Sequence, residues 1–128
     1  MVLLDTCTLL WLASAQEQLS AAARRLMQQH ASSLFVSAIT AFEIGVKHRK
    51  GRLTLPLDPP QWFGEAVEFH GLRESPVTGR IAAGSTQLPP LHADPCDRII
   101  VATALEHDWT IITPDPLIRQ YLGVTVVW

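Results

Sequence analysis

Short apolar runs alternate with amphipathic stretches along the chain, and that alternation predicts most of the elements. Val2, Leu3 and Leu4 form a continuous apolar run that reads as a buried strand. It meets Asp5-Thr6 and gives way to an apolar helix over residues 9–13. Leu19-Ser20 opens a second helix, because Ser20 is a good N-cap and the AAARRLMQQ that follows is rich in helix formers. Leu34, Phe35 and Val36 read as the next strand. Ser37 and Thr40 then offer caps for a helix to about Lys50, with Gly51 in the C-terminal capping position. Residues 53–57 connect to Asp58-Pro59-Pro60, a cap followed by prolines in the first turn. Trp62, Phe63, Ala66, Val67 and Phe69 recur at helical spacing until Gly71. Residues 72–77 are a weak strand broken by Pro76, and Thr78 caps a helix of small residues to about Thr86. After a loop over residues 88–91, Asp94-Pro95 opens a helix that ends near Glu106. Thr110 to Ile112 is a β-branched strand, and residues 124–127 form the last one.

Strands alternating with helices predict an α/β fold whose parallel sheet is covered on both faces. Such sheets bind ligands beyond the carboxyl ends of the strands, where the strand order reverses. A length of 128 residues predicts one domain, and 48% hydrophobic against 17% charged residues makes it globular. No apolar run approaches the roughly 18 residues of a membrane span. The opening MVLLD has no basic residue ahead of its apolar stretch, so it reads as a core strand and not a signal peptide. Cys7 and Cys96 imply no disulfide framework, and the expectation is a cytoplasmic protein with reduced thiols.

The carboxylates carry the candidate chemistry. Asp5 ends an apolar strand, where a carboxylate must be solvated, paired or metal-bound; it could also cap the next helix. Asp115 follows the strand Thr110 to Ile112 in the same relation, although an aspartate beside prolines is also a common turn residue. Asp94 has the place of an N-cap, and Asp97 stands one turn inside a helix that is apolar nearly all round. A charge at that buried start calls for a cation, with Arg98 beside it as a partner or as an orienting residue. Glu43 lies three residues after Thr40, the capping-box spacing, and four before Lys47, the order of a helical ion pair; both are structural roles. Acids delivered to one sheet edge from separate segments suit a hard divalent cation. The histidines and cysteines lack zinc spacing, and no Gly-rich phosphate loop or GxSxG elbow is present.

Net charge is −2, which argues against a dedicated basic nucleic-acid binder. The basic residues are clustered, however: Lys47, Arg49, Lys50 and Arg52 stand together and read either as a solvated helix end or as a surface that steers phosphates.

Three segments taken together, LLDTCTLLWLA, VSAITAFEIGVKHRKGRL and LPPLHADPCDRIIVATALEHDWTIITPD, resemble the PIN-domain ribonucleases, and in particular the VapC-type toxins of VapBC toxin–antitoxin modules. The resemblance covers essentially the whole chain. It implies a three-layer α/β/α fold with a parallel sheet of about five strands, and RNA cleavage dependent on magnesium or manganese. Asp5 matches the family's first acid, Glu43 its helical glutamate, Asp97 the aspartate of its DR signature, and Asp115 the acid after the next strand. Asp5 and Asp97 would be direct metal ligands, with Glu43 and Asp115 acting directly or through water. Thr6 and Thr113 match supporting hydroxyls. Cys96 stands where phenylalanine is common. The resemblance also implies an RNA substrate, a VapB-type antitoxin partner and a homodimer. Two other functions fit the same fold: a non-catalytic RNA-binding or adaptor domain, and a structure-specific DNA nuclease.

Overall fold

The computed structural model describes residues 1–128. Five parallel strands form one sheet: β1 (Val2–Leu4), β2 (Leu34–Ser37), β3 (Arg73–Ser75), β4 (Thr110–Ile112) and β5 (Val126–Val127). Seven helices join and cover them: α1 (Thr6–Ser14), α2 (Ala21–Gln29), α3 (Ala38–Arg49), α4 (Pro59–Phe69), α5 (Gly79–Ser85), α6 (Pro95–His107) and α7 (Pro116–Arg119). A single 3₁₀ turn lies at Gln16–Gln18. The expected α/β/α layering is therefore present. No helix is long and apolar enough to cross a membrane.

Strand order is β3-β2-β1-β4-β5. The chain builds outward from β1 through β2 to β3, then returns to the other side of β1 to add β4 and β5. The order thus reverses between β1 and β4, and a crevice opens beyond their C-terminal ends.

Being central, β1 is apolar on both faces. Leu4 packs with Val2, Val36 and Ile112 under α1, α2 and α4, and Leu3 packs with Ile111, Ile100 and Val101 under α6 and α7. Both leucines are wholly buried. Each such side chain contributes on the order of 1.5–3 kcal/mol by leaving water. This explains why the first strand reads as a continuous apolar run and not as an alternating one.

The expected caps form at Ser20, Asp58, Thr78 and Asp94. Three elements differ from the sequence reading. α1 starts at Thr6, because Asp5 caps it. Of the two caps offered for α3, Ser37 is the one used, which leaves Thr40 inside the helix and fully buried. The final strand contracts to two residues, and the short α7, capped by Asp115, precedes it.

Candidate metal centre

Asp5 leaves β1 in an extended conformation, and its Oδ1 accepts the Thr8 N–H at 2.8 Å. The capping role is real, and it occupies only one oxygen. Oδ2 accepts the Thr113 hydroxyl at 2.5 Å. Thr113 stands one residue beyond β4, and its own oxygen accepts the Asp115 N–H at 3.0 Å. One hydroxyl therefore ties the end of β1 to the turn that carries Asp115, across the crevice where strand order reverses.

Glu43 reaches the same edge from α3. Its Oε1 accepts the Thr6 hydroxyl at 2.7 Å, and its Oε2 lies 3.0 Å from Lys47 Nζ, one turn along the helix. Thr40 Oγ1 is 3.0 Å from Thr6 Oγ1. The capping-box role open to Thr40 and Glu43 is not taken up, because the helix begins at Ala38 and both side chains turn to Thr6. The Glu43–Lys47 ion pair does form.

α6 delivers two aspartates in different ways. Asp94 Oδ1 accepts the Cys96 N–H at 2.8 Å, as an N-cap does. Asp97 accepts no hydrogen bond from backbone or hydroxyl; its polar neighbour is His92 Nε2 at 3.2 Å. The same Nε2 lies 2.8 Å from Asp115 Oδ2, while Asp115 Oδ1 caps α7 through the Leu117 N–H. His92 Nδ1 accepts the Asp94 N–H at 3.1 Å, so the ring proton sits on Nε2 and points between Asp97 and Asp115. Ligand atoms of His92, Asp97 and Asp115 all lie within 4.8 Å of one another.

His92 escaped the sequence reading, which weighed histidines only by zinc spacing. Its signal was its place at the head of HADPCDR, two residues before the cap. Of the two roles open to Arg98, partner of Asp97 or orienting residue, the first is not taken up: it does not pair with Asp97. Its guanidinium donates to the carbonyls of Ser85, Leu88, Pro89 and His92 at 2.8–3.2 Å and lies 3.4 Å from the Tyr121 hydroxyl. Adjacent residues on a helix do not share a face, which is why Asp97 and Arg98 point apart. Arg98 thus holds the loop that presents His92.

The electrostatics follow from burial and crowding. Burial raises the Asp5 carboxyl above its ordinary range, opposed by the hydrogen bonds from Thr113 and Thr8 and reinforced by Asp115. Asp97 is pushed up to about 7, first by burial and then by Glu43 and Asp94, with His92 opposing. For Lys47, burial acts downward but contact with Glu43 outweighs it, so the ammonium group holds its proton more firmly than usual. Burial and the neighbouring acids push the Cys7 and Cys96 thiols up to about 11. The thiols are therefore neutral, and His92 turns an N–H toward the acids. What remains for a cation is a set of carboxylate and hydroxyl oxygens, which fits magnesium or manganese and not a soft metal. Asp97, desolvated and met only by the shared His92 N–H, is the group most in need of one.

The basic cluster divides between two adjoining grooves that share Phe42 and Val46 of α3. A cleft of about 450 Å³ beside Glu43 is lined by Phe42, Lys47, Lys50 and Arg52 on one wall and by Pro95 and Cys96 on the other. Arg49 instead faces a groove of about 540 Å³ against Pro59 and Pro60 of α4.

The family model described as PIN domain matches residues 2–121. Ribonuclease VapC22 of Mycobacterium tuberculosis is 34% identical over 121 residues, covering 94% of this chain and 91% of its own length. Among solved structures, a toxin–antitoxin complex from Klebsiella pneumoniae superposes with a TM-score of 0.69 at 23% identity, covering 100% of this chain and 97% of that one. VapBC2 from Rickettsia felis, bound to a DNA fragment from its promoter, gives 0.71 at 12% identity over 99% and 98%. At those identities the structural likeness speaks for the fold.

Proposed function

Because the chain belongs to the PIN-domain family, we propose that it is a magnesium- or manganese-dependent endoribonuclease, the toxin half of a toxin–antitoxin pair, with its 128 residues acting as a single PIN domain. The observation that carries this reading is Asp97. A carboxyl pushed up to about 7 in a nest of other acids gains most from a divalent cation. Asp5 and Asp97 hold the ion, and Glu43 and Asp115 complete the set directly or through water. Bound there, the ion supplies Lewis-acid activation of the phosphate and of the attacking water.

The protein's own groups do the positioning. Thr113 fixes the free oxygen of Asp5, and Thr6 fixes Glu43. His92 holds Asp97 and Asp115 at the spacing they need, and Arg98 secures the His92 loop. Lys47 pairs with Glu43 and adds positive charge where an RNA phosphate approaches, in a cleft that Lys50 and Arg52 also line.

The relatives that come as toxin–antitoxin complexes support an antitoxin of the VapB type as partner; a second copy of the chain is the other partner that the family resemblance implies. The cytoplasm, where RNA and antitoxin are both present, is the expected compartment. Purified protein should cleave RNA with added magnesium or manganese and stop in excess chelator. Full cleavage in the chelator refutes the metal mechanism, and no cleavage with either ion refutes the nuclease reading.

A further inference from the structure

Phe42 stands between Ala41 and the buried Glu43 on α3 and is 62% exposed. Exposure alone is ordinary, since Phe69 is 84% exposed; what sets Phe42 apart is its company. It lines the 450 Å³ cleft together with Glu43, Asp94, Pro95, Cys96, Lys50 and Arg52. Neither Lys50 nor Arg52 is engaged in an ion pair. The cleft thus joins an open aromatic ring and two free cations to acids of the candidate metal centre.

We infer that this cleft is a subsite for one unpaired nucleotide next to the scissile phosphate, its base stacked on Phe42 and its outer phosphates met by Lys50 and Arg52. The inference rests on the ribonuclease reading and assigns Phe42, Lys50 and Arg52 of this chain to gripping the strand beside the cut.

Three features of the cleft support it. An exposed ring offers a flat apolar face that any base can cover, and base-on-aromatic stacking is how proteins grip unpaired strands without reading sequence. The free cations line the same cleft as the acids, so a strand lying in it has its phosphates neutralised beside the carboxylates. Phe42 and Glu43 both line that cleft, so a base on the ring brings its backbone within reach of the acid cluster. A duplex offers no free base face here, and its bases stay stacked on one another.

The test is steady-state cleavage, in magnesium, of a random-sequence pool of single-stranded RNA 12-mers and of the same pool annealed to its complement. Phe42→Ala should lower kcat/KM on the single strands about 5- to 100-fold, the range expected for losing one stacked base. Phe42→Trp should restore it, and neither change should shift the melting temperature, since the ring is exposed. Lys50→Gln and Arg52→Gln should each flatten the salt dependence of kcat/KM by roughly 0.7 in log–log slope.

If wild type cleaves the pool and Phe42→Ala cleaves it equally well, the subsite is refuted and the nuclease reading stands. If wild type cleaves neither pool, both fall. If Phe42→Ala spares cleavage but abolishes binding of a co-expressed antitoxin, the cleft belongs to a protein partner and the inference is overturned.

Discussion

Two aspartates three residues apart on one helix have opposite duties. Asp94 spends an oxygen on the Cys96 amide, so its role is met by any side chain with a capping oxygen. Asp97 makes no such bond, and its carboxyl is held near neutrality by burial and by Glu43 and Asp94. Asp94→Asn should therefore change stability by less than the roughly 1 kcal/mol of a lost cap and should retain cleavage. Asp97→Asn keeps the shape, removes the buried charge, and should abolish cleavage without lowering the melting temperature. Melting curves and RNA cleavage on the two variants decide the matter. If the effects are exchanged, with Asp94→Asn inactive and Asp97→Asn active, the assignment of the metal ligand is wrong.

At the scale of elements, α6 shows what a sequence discloses and what it conceals. Its start was legible because capping is local: an aspartate, then a proline, then an apolar run. The Glu43–Lys47 pair was legible for the same reason, since four residues along a helix is contact distance. The partner of Arg98 was not legible. Its guanidinium collects carbonyls from residues 85–92, and only the fold of that loop brings them together. His92 was hidden likewise, because it meets Asp115 23 residues away. The short α7 carries too little periodicity to be seen. Arg98→Lys retains the charge but cannot span the same carbonyls. It should destabilise the protein by about 2–3 kcal/mol, the range of charge-assisted bonds lost together with carbonyls left unpaired. It should also reduce cleavage by loosening His92. Chemical denaturation with cleavage assays checks both effects, and an unchanged midpoint would remove Arg98 from its structural role.

For the molecule as a whole, the crowded acids couple folding, protons and metal. An unfolded Asp97 titrates near 3.8 and the folded one near 7, so between those values the native state holds a proton that the unfolded chain has lost. Stability of the metal-free protein should therefore fall as pH rises through that window and level off above it. The raised Asp5 carboxyl acts in the same direction. A divalent cation displaces the proton, so its affinity should climb with pH up to about 7 and then flatten. Melting temperatures with and without manganese at pH 5.5, 6.5 and 8 should show stabilisation by the metal growing across the series. Equal stabilisation at all three would contradict a shared proton and metal site.

The link between Asp5 and Thr113 also bears on timing. Asp5 is made early and Asp115 is made 110 residues later, yet the two sit on either side of one hydroxyl. At ~5–20 residues per second, roughly 5 to 20 seconds of synthesis separate them. Through that interval β1 lacks its β4 neighbour, and the acids at residues 5 and 43 have no counterpart from α6 or the turn beyond β4. A ribosome making this chain is thus in contact with a growing polypeptide whose proposed cutting centre has not yet been assembled.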